Sequence, residues 1–151
     1  MYSNKKKIAI VTSTRADYGK LKSIILRIQK NKKFLTKVFV TGMHNLHLYG
    51  KTLGEIKKSK IKNLFIFNNQ KQTSSMNRIL INTIRGFSRF IDKEKPDLVV
   101  LHGDRIEPLG CAISSVLNNI RIVHIEGGEV SGTVDEILRH AISKLSHIHF
   151  V

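Results

Sequence analysis

A chain of 151 residues with 41% hydrophobic content has the length of one domain and enough apolar material for its own core. No run of about eighteen apolar residues occurs, polar Thr12 to Arg15 interrupt the opening where a secretory leader would stay apolar, and the lone Cys111 can form no internal disulfide. The expectation is a cytoplasmic protein with no membrane span. The formal charge of +15 is lopsided: residues 1–91 hold 20 Lys and Arg against Asp17 and Glu55, whereas residues 92–151 hold 6 against 9 acids. Apart from Lys5 to Lys7 the bases come singly or in twos, at positions that helix faces and loops expose, with no zinc spacing, aromatic RNA-binding motif or helix-turn-helix pattern. They suit a solvated surface better than a nucleic-acid partner.

The first predicted strand, Ile8 to Thr12, is followed by Tyr18, Leu21, Ile25 and Ile28 at helical spacing. A second strand is predicted over Thr36 to Thr41 and a third over Lys62 to Phe67. Met76, Leu80, Ile84, Phe87 and Ile91 then repeat as the apolar stripe of a helix, which Ser74 or Ser75 can cap and which "EKPD" should end. Leu98 to His102 is the fourth strand, and Cys111 sits in the apolar stretch after it as a small buried hydrophobe. Arg121 to Ile125 is the fifth, Thr133 to Glu136 has the Thr-x-x-Glu form that opens a helix toward Lys144, and Ile148 to Val151 is the sixth. This alternation predicts an α/β fold, a doubly wound, mostly parallel sheet whose ligands bind at the carboxyl ends of the strands near the switch point.

Three segments at those ends differ from ordinary loops. In "TSTRADYG", Thr12 to Gly19, Arg15 stands at a strand-to-helix junction, either as an anion contact or in a surface salt bridge with Asp17. The segment lacks the glycines of a dinucleotide fingerprint, and no P-loop occurs anywhere in the chain. In "LHGDR", Leu101 to Arg105, the groups His102, Asp104 and Arg105 emerge from an apolar run, and Asp104 is either a helix cap or a functional acid. In "HIEGGEVSGTVDE", His124 to Glu136, four carboxylates gather around three glycines. His124 and Glu126 should share a strand face by the two-residue period, with Gly127 and Gly128 allowing close backbone approach. Clustered carboxylates raise one another's proton affinity, which is how one site comes to hold both an acid and a base. A metal site is not expected from His140, His147 and His149, and Ser13, Ser114 and Ser131 lack a nucleophile-elbow pattern.

At these residues the chain resembles the hydrolysing UDP-N-acetylglucosamine 2-epimerase family, in particular its sialic and legionaminic acid biosynthetic branch. The resemblance runs through "VTSTRADYG", "TGMH" with "YGKT" after it, "KPDLVVLHGDR" and the block from Arg121 to Val151. It implies that residues 1–151 are the amino-terminal Rossmann-like domain, one half of a two-domain GT-B fold, with the carboxy-terminal domain absent. It implies Asp104, Glu126 and Asp135 as catalytic acids, and Arg15, His44, Arg105, His124, Gly127 and Gly128 as substrate contacts. The implied substrate is a sugar nucleotide, epimerised at carbon 2 by elimination and hydration without metal or other cofactor, to release an N-acetylmannosamine-type sugar. The three acids should then point into one shared pocket. Two other readings are a GT-B glycosyltransferase half and a fragment that is inactive or only binds, and apolar surface left uncovered should favour homo-oligomers.

Overall fold

The computed structural model describes residues 5–50 and 52–151. Its strands are β1 (Lys6–Thr12), β2 (Phe34–Val40), β3 (Leu64–Ile66), β4 (Leu98–His102), β5 (Arg121–Ile125) and β6 (Ile148–Phe150). All pair in parallel in the order β3-β2-β1-β4-β5-β6, so the winding reverses between β1 and β4. The helices are α1 (Arg15–Lys30), α2 (Leu53–Lys58), α3 (Met76–Glu94), α4 (Ile106–Leu117) and α5 (Val134–Leu145), with short 3₁₀ turns at Gly42–Asn45 and His47–Tyr49. This is the doubly wound α/β arrangement that the alternation of runs predicts.

Both faces of the central strands are covered, which is why those strands are continuous apolar runs instead of alternating ones. On one face Ala9, Val11, Phe39, Val99, Leu101 and Ile122 meet Phe87 and Phe90 of α3, Cys111 and Ala112 of α4 and Ile142 of α5. Phe39 lies at the centre of an aromatic cluster, with ring centroids 5.0 Å from Phe87 and 5.3 Å from Phe90. On the other face Ile8, Ile10, Val38, Val40, Val100 and Val123 pack with Tyr18, Leu21 and Ile25 of α1 and Ile56 of α2. Each large apolar side chain buried this way stabilises by roughly 1.5–3 kcal/mol.

Boundary differences have local causes. The third strand starts at Leu64, two residues later than predicted, because Asn63 is left-handed with φ 58° and the chain becomes extended only after it. Ser75 is the cap of α3, its hydroxyl accepting from the Arg78 amide, and Lys95 leaves the helix at φ 49° immediately before Pro96, where proline disfavours the right-handed helical region. Helix α2 was not among the predicted elements; its six residues are too few to show a period, and the fully buried Ile56 anchors it.

Candidate functional site

The turn after β1 is built around a buried anion. Thr14 caps α1 and Asp17, at the third helical position, completes the capping box. Asp17 Oδ2 also accepts from the Ser13 amide and hydroxyl, both at 2.9 Å, and Oδ1 accepts from the Thr12 hydroxyl. His44 comes in behind it from the end of β2, fully buried, with Nε2 2.9 Å from Thr12 Oγ1 and 4.0 Å from Asp17 Oδ1. Burial pushes the His44 imidazole below its ordinary value, against the opposing pull of Asp17. Arg15 turns outward, 3.5 Å from Glu55 and not paired with Asp17.

The turn after β4 passes through Gly103, whose φ of 75° is left-handed. Asp104 does not cap α4; the capping position is Arg105 and no side chain caps there. Asp104 Oδ2 instead accepts from Arg139, a residue of α5 that is only 1% exposed. The same guanidinium donates to the Glu129 carbonyl and, at 3.2 Å, to the Ser131 hydroxyl, so one buried cation ties the β4–α4 turn to the β5–α5 loop. Arg105 Nε lies 3.3 Å from Glu107 Oε2, and Glu107 is fully buried. Burial raises the Glu107 carboxyl above its ordinary value, only partly offset by Arg105.

The end of β5 departs from the expected alternation. Glu126 is a non-glycine residue at φ 60°, so the chain twists there and its side chain leaves the face that His124 occupies. His124 is fully buried, its Nε2 2.7 Å from the Gly103 carbonyl and Nδ1 2.9 Å from the Ser143 hydroxyl of α5, and burial lowers its proton affinity. Glu126 turns toward α1: Lys20 Nζ donates to its two oxygens at 2.7 and 2.6 Å, and His102 Nε2 lies 3.2 Å from Oε2. The Lys20 hydrogen bond, with the His102 charge adding to it, holds the Glu126 carboxyl below its ordinary value. Gly127 is needed by its neighbours: a Cβ there would come within 2.7 Å of both His124 Nδ1 and Ser143 Oγ.

A cleft of about 160 Å³ opens between these turns, walled by Asp104, Glu126 and Glu129, by His102 and Arg105, and by Asp17 and Ala16 at the start of α1. Asp104 and Glu126, on the ends of adjacent strands, are thus brought together. Asp135 is not among the walls, and the expectation of one pocket shared by three acids is corrected. It is exposed on the first turn of α5, where its amide bonds Thr133, and the residue that reaches the cleft acids from this helix is Arg139, one turn later. Arg15, His44, His124, Gly127 and Gly128 also lie outside the walls. A larger groove of about 980 Å³ runs along the start of α3, but its lining, including Asn69, Ser75 and Arg78, contains no acid or histidine to handle protons. Among the described residues no group of three or more His, Cys, Asp or Glu is placed to hold a metal ion.

Sequence reasoning did not select Lys20 or Arg139 as site residues. Each meets its acid across the fold, Lys20 over 106 positions and Arg139 over 35, and no local pattern in the sequence signals either contact.

The family model described as UDP-N-acetylglucosamine 2-epimerase matches residues 26–151. The chain is 45% identical over 146 residues to a UDP-N-acetylglucosamine 2-epimerase of Neisseria meningitidis serogroup B, covering 97% of this chain and 39% of that protein. It is 45% identical over 149 residues to the hydrolysing UDP-N,N'-diacetylbacillosamine 2-epimerase of Legionella pneumophila, covering 97% of this chain and 40% of that one. The crystal structure of a UDP-GlcNAc 2-epimerase from Neisseria meningitidis bound to UDP-GlcNAc superposes with a TM-score of 0.82 at 27% identity, over 96% of this chain and 39% of that chain. The chain therefore spans about two fifths of the length of the proteins it matches.

Proposed function

The chain belongs to the UDP-N-acetylglucosamine 2-epimerase family, and we propose that it provides the proton-handling half of a hydrolysing epimerase acting on a UDP-N-acetylglucosamine-type sugar nucleotide. The observation that carries this reading is the pairing of Asp104 and Glu126 across one cleft at the switch point of the sheet. In the proposed reaction a carboxylate takes the proton from carbon 2 of the sugar as the bond from carbon 1 to the nucleoside diphosphate breaks, leaving a glycal. Water then adds its oxygen to carbon 1, and a proton returns to carbon 2 from the opposite face. Two faces need two groups, and oxocarbenium character at carbon 1 favours a nearby carboxylate.

Glu126 suits proton transfer, because its partner Lys20 is largely exposed and can withdraw. Asp104, gripped by buried Arg139, suits the oriented carboxylate beside the developing positive charge. Arg105, with Nε held by Glu107, has its remaining donors for substrate oxygens. The products are a nucleoside diphosphate and a free N-acetylmannosamine-type sugar, and the nucleotide's remaining contacts are assigned to a second domain of the same GT-B type.

The test is a chimera in which residues 1–151 replace the matching 39% of the Neisseria meningitidis serogroup B relative. Proton NMR in heavy water should show UDP-N-acetylglucosamine converted to UDP and a free epimerised sugar carrying deuterium at carbon 2. Asp104→Asn and Glu126→Gln should each lower kcat by about 10²–10⁴-fold. Near-parental rates in both variants, or transfer of the sugar to an acceptor in place of its release, would refute the proposal.

A further inference from the structure

Lys20 grips both oxygens of Glu126, and a carboxylate held that way is a weaker proton acceptor than it becomes once the ammonium lets go. The Lys20 side chain is more than half exposed, so release into water is available to it. His102 is placed differently. It ends β4 in register with Ile125, and its side chain is only 8% exposed. Its Nε2 lies 3.2 Å from Glu126 Oε2 yet has no aligned hydrogen-bond partner among the described residues. A buried ring nitrogen without a partner is unfavourable, and the last torsion of a glutamate side chain turns easily. If the carboxylate turns away from Lys20, the His102 Nε2, 3.2 Å from Oε2, is at hand to hold that oxygen. The left-handed φ of 60° at Glu126 is the kind of backbone strain that surrounding contacts must hold in place.

We propose that His102 is a positioning residue for Glu126, accepting the carboxylate as Lys20 releases it and leaving one oxygen aimed at substrate. Its consequence for catalysis rests on the function proposed above; its test does not. The other titratable and charged groups around the pair include Asp104 and Arg105 on the β4–α4 turn, His124 of β5, Glu129 on the β5–α5 loop and Asp17 at the start of α1, and they are common to every variant compared.

The experiment follows the Glu126 carboxyl carbon by NMR titration of the 151-residue chain without substrate. In the parent the midpoint should lie below the ordinary 4.5, with Lys20 the larger cause and His102 a contributor. Lys20→Met should shift it only part of the way up, because His102 takes over the carboxylate, and adding His102→Asn should complete the rise. If Lys20→Met alone restores the ordinary value, or His102→Asn changes nothing in that background, the proposal is overturned. Should His102→Asn fail to fold, the Lys20→Met chain with Glu126→Gln decides: the His102 ring nitrogen resonances move if the contact exists and stay put if it does not. Failure of this titration leaves the chimera assay intact, and an inactive chimera leaves the titration readable.

Discussion

Asp104 and Glu126 are held by cations of opposite kind. Arg139 is buried and makes three hydrogen bonds, whereas Lys20 reaches in from the surface. Arg139→Met strands the Asp104 carboxylate and the Glu129 carbonyl together, and we expect it to cost about 2–3 kcal/mol in urea unfolding. That is below the usual range for a broken buried pair, because Asp104 keeps some contact with water. Glu107 predicts a pH effect. Its carboxyl is raised by burial, so between the ordinary value of 4.5 and the folded value the native chain holds a proton that the unfolded chain has released. Stability should fall as pH rises through that window, and the difference between parent and Glu107→Gln, measured as urea midpoints against pH, should carry this slope. The buried imidazoles act in the other sense. His44 and His124 are both lowered by burial, so the unfolded chain binds more protons below about 6.5 and thermal stability should drop as pH falls through that value. A melting temperature flat from pH 7.5 to 5.5 in a chain with Glu107→Gln would contradict that assignment.

At the level of elements, α3 is seated through a small residue. Gly86 of α3 lies against Phe67, and a Cβ there would come within 2.3 Å of the ring. Gly86→Ala must displace Phe67 from its stack on Phe39, and we expect a loss of about 1–3 kcal/mol, read from the denaturation midpoint. The strands and the two long helices were legible because apolar runs and the 3.6-residue period each persist over enough residues. The short α2 was not, and neither was the delay of β3 by a left-handed Asn63, a conformation that asparagine tolerates without demanding it.

At the level of the whole molecule, α1 and α2 cover one sheet face over β1 and β2, and that cover does not extend to β6. Ile148 and Phe150 pair with Val123 and Ile125 on this face, and both are exposed, at 45% and 59%. We expect self-association at high concentration, detected by light scattering, and its reduction by Phe150→Lys; a monodisperse parent would count against it. The charge of +15 opposes association in general.

The amino-acid sequence by itself determined the α/β class and the approximate strands, and it pointed to the carboxyl ends of the strands as the place to look for a ligand, because periodicity and turn chemistry act locally. It also marked Asp104, Glu126 and Asp135 as the acids to examine. Only the tertiary structure decided that Asp135 stands outside their cleft, that His124 packs against α5 while Glu126 turns toward α1, and that Lys20, His102 and Arg139 hold the acids. Those outcomes depend on one left-handed residue and on contacts between residues up to 106 positions apart in the chain, and no local pattern encodes a meeting over that distance.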